Sequence, residues 1–124
     1  MKIQIDSGLP IITVVLHHQN KQLKLDTVIL DTGSAGSIFK ISKVAQIDLK
    51  PEPDDKVRRI IGVGGSEFVY VKKIDKLSVD KLEATNFNIE IGTMDYGFDI
   101  DGIIGMDFLI QTAAVIDLKK LTIK

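Results

Sequence analysis

One short segment, Asp31-Thr32-Gly33-Ser34, carries the residue types that could do acid–base chemistry. It follows the apolar run Val28-Ile29-Leu30 and opens into Ala35-Gly36-Ser37, so Asp31 is expected on a glycine-rich turn at the end of a strand. Backbone N–H groups can hold a carboxylate at such a turn while it faces a cleft. Because the segment occurs once in the chain, a pair of these carboxylates requires a second molecule.

A pair of carboxylates held near contact cannot ionise fully, so over a range of pH the two groups share one proton. The ionised carboxylate can take a proton from water, and the protonated one can donate to the carbonyl oxygen that this water attacks. Peptide bonds can be hydrolysed in this way without a metal or a covalent intermediate. The alternative reading of Asp-Thr-Gly is an ordinary turn, since Asp and Gly both favour turns.

The residues beside Asp31 have expected roles in such a pair. Gly33 lets the backbone approach the carboxylate and offers its N–H group. The Thr32 hydroxyl can bond across a two-fold axis to the partner's loop. We expect the Ser34 hydroxyl to donate to the outer carboxylate oxygen, which would lower the pKa of Asp31.

The apolar residues that must position this segment recur mostly with a period of two, which indicates strands. The alternating sets are Ile3/Ile5, Leu23/Leu25, Phe68/Tyr70 and Phe87/Ile89/Ile91. Short helices are expected over Ile41–Gln46 and Met106–Gln111, and the C-terminus should form two strands joined by a two-residue turn. Many short strands with frequent turns predict an all-β barrel or sandwich, formed by a single domain over residues 1–124.

Two further segments carry chemical or structural information. Arg59 to Glu67 predicts a mobile hairpin with Ile61, Gly62, Val63, Gly64 and Gly65 at its tip, suited to closing over a substrate; the alternative is a plain surface hairpin. In Asp101 to Leu109, Ile103 and Ile104 stand beside Gly105. These residues are expected to pack under the loop of Asp31, where a glycine permits close backbone approach.

These three segments, in this order, resemble those of the retropepsin-like aspartic proteases, the single-domain relatives of pepsin. The resemblance extends from Ile11 to the C-terminus. It implies a closed barrel with a flap hairpin and one or two short helices, and catalysis by Asp31 supported by Thr32, Gly33 and Ser34. It implies no cofactor and no metal.

The chain departs from the retroviral members in two places. They have an acidic residue where this chain has Ala35 and an arginine where it has Met106, and those two family residues pair with each other. We therefore expect the contact between these segments to be apolar or absent here. Ser34 resembles the pepsin-like enzymes more than the retroviral ones, and the paired terminal strands resemble those of bacterial and cellular members.

These observations predict an aspartic endopeptidase that acts as a C2 homodimer and binds a polypeptide in extended conformation. Leu30, Val63 and Ile104 are expected to form pocket walls, with a preference for hydrophobic residues beside the cut. The alternative is a protease-like module that binds peptides or dimerises with little or no turnover.

Composition excludes several other functions. A net charge of −1 gives no basic surface for nucleic acid, and the absence of cysteine removes thiol catalysis, disulfides and cysteine zinc sites. The apolar run Leu9 to Leu16 is too short to span a bilayer. The compartment is expected to be the cytoplasm unless the chain belongs to an anchored or exported precursor.

Other polar residues are interpreted as structural. The acids Asp95, Asp99, Asp101 and Asp107 are expected to be solvated, because the remaining ligands of a calcium loop are missing. Arg58 and Arg59 are expected to be surface charges at the base of the hairpin. His17 and His18 should point to opposite faces of a strand and cannot bind one metal from one side.

Overall fold

Within residues 1–62 and 65–124, which the computed structural model describes, the chain forms ten strands and two short α-helices. The strands are β1 (Gln4–Asp6), β2 (Leu9–His18), β3 (Lys21–Leu30), β4 (Ile38–Lys40), β5 (Val57–Gly62), β6 (Gly65–Val79), β7 (Leu82–Gly92), β8 (Gly102–Ile104), β9 (Ile116–Asp117) and β10 (Thr122–Ile123). The helices are α1 (Ile41–Val44), continued by a 3-10 turn over Ala45–Ile47, and α2 (Met106–Gln111). Both helices lie where the sequence predicts them.

The larger sheet closes on itself. Its order is β1-β2-β3-β8-β4-β7-β6-β5, and β6 also pairs with β2. The ring therefore consists of β2, β3, β8, β4, β7 and β6. The predicted all-β, barrel-like fold is therefore confirmed. Closure leaves fewer unpaired strand edges than an open sheet of this size.

Two parallel pairings interrupt the antiparallel pattern and bring distant segments together. β3 pairs in parallel with β8, with Leu30 opposite Ile104, and β4 pairs in parallel with β7. Parallel neighbours need long connections, and here those connections contain the loop after β3 and the loop before β8. Because β3 and β8 run in the same direction, the loop after β3 and the segment after β8 that begins α2 are held side by side at one end of the ring.

Buried apolar side chains form two clusters. The larger cluster fills the ring and includes Val14, Phe39, Ile89 and Phe108. The smaller one consists of the buried residues Ile11, Ile29, Ile38, Val69, Met94 and Ile100, with Leu9, Ile60 and Ile103 packed against it. This smaller cluster extends to the base of the β5–β6 hairpin.

The strand that the alternation of Phe68 and Tyr70 predicts is present, but these two residues differ in burial. Phe68 is 64 % exposed, whereas Val69 between these two residues is fully buried in the smaller cluster. Tyr70 is half-buried and packs against the larger cluster, so of the two aromatic residues only Phe68 lies outside the core.

The C-terminal strands pair with each other, and Lys2 forms a bridge to Thr122 in β10. The predicted two-residue turn between β9 and β10 is wrong, because four residues separate the strands. The Asp117 carboxylate accepts the N–H groups of Lys119 and Lys120 at 2.9 and 3.0 Å, which stabilises the longer turn. Among the described residues, no helix has the length and apolar character needed to cross a bilayer.

Candidate active site

The Asp31 carboxylate lies on an open loop directly after β3. The Asp31 N–H donates to the Ile104 carbonyl oxygen at 2.9 Å, which fixes the backbone at the junction with β8. The Gly33 N–H donates to Asp31 Oδ1 at 2.8 Å, as the sequence predicts. The Asp31 side chain is half-buried and Thr32 is exposed, so both remain accessible to a second molecule.

The loop stands on the segment that begins α2. The Met106 N–H donates to the Ser34 carbonyl oxygen at 2.7 Å, and the Asp107 N–H donates to the Ala35 carbonyl oxygen at 3.2 Å. A Cβ atom at Gly105 would lie 2.2 Å from the Gly36 carbonyl oxygen, so only glycine allows this approach. Gly105 therefore sets the distance between the two segments.

The Ser34 hydroxyl does not contact the Asp31 carboxylate. It donates to the Gly36 carbonyl oxygen at 2.7 Å, so the expected bond to the outer carboxylate oxygen is wrong. Gly36 lies only two residues further along the same tight turn, which brings its carbonyl within reach of the Ser34 hydroxyl. Ser34 stabilises the loop conformation in this subunit.

Polar contacts join the loop and α2, contrary to the expectation of an apolar or absent contact. Ser37 is fully buried, and its hydroxyl donates to Asp107 Oδ1 at 2.8 Å while accepting the Gly105 N–H at 3.0 Å. The Ser37 N–H donates to Asp107 Oδ2 at 3.2 Å. These Ser37–Asp107 bonds connect the loop to the helix. They do so without the acidic residue and the arginine that the retroviral members have where this chain has Ala35 and Met106.

Asp107 and Asp101 are therefore not solvated loop acids. Asp107 also accepts the N–H of Phe108 in the first turn of α2. The sequence could have indicated this contact, because an acidic residue in the first turn of a helix commonly accepts its free N–H groups. Asp101 accepts the Thr27 N–H at 3.3 Å and lies 3.7 Å from Lys43. Both carboxylates fix the segment that carries Ile103 to Met106.

Above the loop lies an open cleft of about 860 Å³. The loop that carries Asp31 forms its floor, the base of the β5–β6 hairpin lies on one side, and the loop after β7 lies on another. Its lining consists of Asp31, Gly33, Ser34, Ala35, Gly36, Ile38, Arg58, Arg59, Ile60, Ser66, Glu67, Glu90, Asp95, Tyr96, Phe98 and Ile103. The cleft is large enough for several side chains of an extended peptide.

Neither Leu30 nor Ile104, the two expected pocket-wall residues that the structure describes, lines the cleft. Ile103 lines the cleft, but Leu30 and Ile104 are buried in the larger core cluster and lie outside the lining of this subunit. Neighbouring strand residues point to opposite faces, so Ile103 and Ile104 cannot both face the cleft. Val63 lies outside the described residues.

The predicted flap corresponds to the β5–β6 hairpin. Its register places Ile61 opposite Ser66 and Gly62 opposite Gly65. Gly64, like Val63, lies outside the described residues. The hairpin base, which includes Ile60 and Glu67, forms part of the cleft wall.

Arg58 is not a simple surface charge, because it pairs with Glu90 inside the cleft. Arg58 Nη1 lies 2.7 Å from Glu90 Oε2, and the Glu90 side chain is only 11 % exposed. Burial raises the pKa of Glu90, Arg58 opposes this change, and the charge of Asp107 adds to it. Glu90 was not identified from the sequence, because Glu90 lies in a strand whose alternating pattern predicts that its polar residues face solvent.

The two histidines belong to no cluster of metal-ligating side chains that the structure describes. No group of three or more histidine, aspartate or glutamate residues in the described part of the chain is arranged to hold a metal ion. Both histidines are half-buried at the end of β2, away from the residues that line the cleft.

Comparison with solved structures defines the class of the fold. The chain is similar to a retropepsin-like aspartic protease from Rickettsia conorii, with a TM-score of 0.66 and 19% sequence identity, covering 98% of this chain and 95% of that one. The fold is therefore retropepsin-like, and the expected similarity to a bacterial member is confirmed.

The family follows from the sequence itself. The model of the aspartyl protease family matches residues 12–108, so the chain belongs to this family. The matched region includes the Asp31 loop, the hairpin and the start of α2. No curated protein matches the chain.

Proposed function

We propose that the protein is an aspartic endopeptidase in which two subunits each contribute Asp31 to one active site. The observation that carries this proposal is a single, accessible Asp31 carboxylate, held by the Gly33 N–H at the floor of a cleft in a chain of the aspartyl protease family. One carboxylate cannot be both proton acceptor and proton donor in the same step, whereas two that share a proton can.

The proposed reaction uses the pair in its singly protonated state. The ionised Asp31 takes a proton from water as the water oxygen attacks the peptide carbonyl carbon. The other Asp31 donates its proton to the carbonyl oxygen, which gives a neutral tetrahedral intermediate. The carbon–nitrogen bond then breaks as the nitrogen receives the proton that the first Asp31 took from water, while the second Asp31, now ionised, takes a proton from a hydroxyl group of the intermediate. The products are a carboxylic acid and an amine, and the pair returns to its singly protonated state.

The exposed parts of the loop support a two-fold arrangement. Thr32 is exposed beside Asp31 and is free to bond to the partner's loop, which would set the separation of the two carboxylates. A homodimer with two-fold symmetry brings the same loop from each subunit to the axis. The substrate would then lie across both clefts as an extended strand beneath the two hairpins.

Cleavage of an unstructured apolar polypeptide tests the activity. We expect the purified protein to cut it within the range of about pH 3 to about 8, and Asp31→Asn to be inactive. Activity should rise more steeply than linearly with enzyme concentration while dimers are scarce. Binding of the polypeptide without cleavage at any pH in this range would contradict the proposal and favour the peptide-binding module.

Sedimentation gives an independent test of pairing. A statine-type inhibitor should shift the protein toward the dimer, because it occupies both halves of the site and stabilises the state that binds it. Asp31→Asn is the matched control, since it removes the charge and preserves the size of the side chain. A stable monomer at every concentration, with and without the inhibitor, would contradict the shared site.

A further inference from the structure

We propose that Glu67 is a specificity-determining residue that selects a basic side chain, lysine or arginine, in the bound peptide. This inference rests on the proposed function and refines the expectation of a purely hydrophobic preference. It follows from the charge, the hydrogen bonds and the position of Glu67 in the cleft.

The described cleft lining contains more carboxylates than cations. Its ionisable acids are Asp31, Glu67, Glu90 and Asp95, whereas its cations are Arg58 and Arg59. Arg58 and the buried Glu90 neutralise each other. Arg59 pairs with Phe68 in the hairpin register and lies on the same face of the hairpin as Phe68, which is 64 % exposed. Glu67, the neighbour of Phe68 in the strand, lies on the other face.

Glu67 is held in place by neutral donors. The Tyr96 hydroxyl donates to Oε1 at 2.9 Å, and the Thr93 hydroxyl lies 3.4 Å from Oε2. Among residues 1–62 and 65–124, no lysine, arginine or histidine forms an ion pair with Glu67. The hydroxyl groups fix the carboxylate without neutralising it, so each oxygen can still accept a bond from a cation.

Burial, with the bond to Glu67, raises the pKa of Tyr96. The Tyr96 hydroxyl therefore remains a donor throughout the pH range in which the protein would act. A tyrosine that stays protonated keeps the Glu67 carboxylate in one position. Such preorganisation reduces the ordering that the substrate must bring about when it binds.

The surroundings of Glu67 match a long basic side chain. Glu67 is directly opposite Ile60 in the hairpin, and Ile60 lines the same cleft. Lysine and arginine combine an apolar stem, which can lie along Ile60, with a terminal cation that can reach the carboxylate. A substrate glutamate would instead meet a second negative charge at this position.

Peptide series test the inference. The peptide cleaved in the activity assay is prepared with Lys, Gln or Glu at each position within about four residues of the cut bond. At one position we expect the wild-type protein to prefer Lys over Gln by about three- to tenfold and to disfavour Glu. The Lys preference should decrease between about 50 and about 500 mM salt, because ions screen the pair.

Two variants and one control locate the preference. Glu67→Gln should reduce the Lys-to-Gln ratio to within about twofold of one, and Glu67→Lys should favour the Glu peptide. Asp95→Asn removes another cleft carboxylate and should leave the ratio unchanged. An unchanged ratio in Glu67→Gln, or an equal loss in Asp95→Asn, would overturn the inference.

Binding to the Asp31→Asn variant separates this inference from the proposed function. Lys-selective binding that disappears with Glu67→Gln, without cleavage by the wild type, would contradict hydrolysis and support the role of Glu67. Cleavage without charge preference would contradict only the role of Glu67. Neither cleavage nor binding of any peptide would overturn both proposals.

Discussion

Replacing Ser37 with alanine should destabilise the protein by about 3 kcal/mol, a large effect for the loss of one oxygen atom. Ser37 is fully buried, and its hydroxyl both accepts the Gly105 N–H and donates to Asp107. Alanine removes both bonds at once. Because water has little access to this site, the groups left behind are not easily satisfied.

The magnitude follows from the two groups that lose a partner. A buried N–H without an acceptor costs about 1–3 kcal/mol, and this applies to Gly105. A hydrogen bond to a charged group contributes about 1.5–3 kcal/mol, but the Asp107 carboxylate keeps two backbone N–H donors, so we take the lower end of this range. For a chain of this length, the total lowers the Tm by roughly 10 °C.

Urea unfolding followed by circular dichroism measures the change at a fixed protein concentration, since dimerisation would add a concentration-dependent contribution. Ser34→Ala is the matched control, because its hydroxyl donates to the half-buried Gly36 carbonyl and its loss should cost about 1 kcal/mol or less. If Ser37→Ala costs no more than Ser34→Ala, the hydrogen bonds to Gly105 and Asp107 do not stabilise the loop as argued.

Three other substitutions test separate parts of the structure. Gly105→Ala should cost more than about 3 kcal/mol, because its Cβ would lie 2.2 Å from the Gly36 carbonyl oxygen; an unchanged urea midpoint would refute this clash. Lys72→Met should cost about 1–2 kcal/mol by leaving the half-buried Asp55 carboxylate without its cation, although the Glu52 N–H still donates to it. Burial acts to raise the pKa of Asp55, but the bonds from Lys72 and the Glu52 N–H, with the charge of Lys72, together outweigh it and lower this pKa below 3.8. The stability difference between wild type and Lys72→Met should therefore shrink as the pH falls through the lowered pKa. A stability difference that does not change with pH would contradict this pairing. Burial raises the pKa of Glu90 above 4.5, so ionisation of Glu90 opposes folding. Glu90→Gln should therefore gain stability relative to wild type as the pH rises from 4.5 through the raised pKa. Stability profiles that stay parallel over this range would contradict the cost of burying the Glu90 charge.

The parts of the site that the sequence predicts are those set by local chemistry. The apolar run before Asp31 and the glycine after it specify a strand end and a turn, and Gly33 occupies the expected place beside the carboxylate. The start of α2 is likewise where the sequence places it. Each of these features depends on a few neighbouring residues.

The parts that the sequence does not predict depend on long-range packing. Glu90 would face solvent on an ordinary two-sided sheet, but Gly36 and Arg58 cover it, and neither is near it in sequence. Ser37 and Asp107 are separated by 70 positions, so no local pattern reveals their bond. The buried face of β6 depends on the cluster beneath it, and its alternation fits either face.

The parallel pairing of β3 with β8 also has a consequence for the order of folding. Leu30 and Ile104 are opposite each other although most of the barrel lies between them in sequence. Contacts of such high sequence separation close large loops and tend to form late. A nascent chain would therefore build its hairpins before it could orient Asp31. During synthesis the Asp31 carboxylate would acquire its native position only after the residues around Gly105 had left the ribosome.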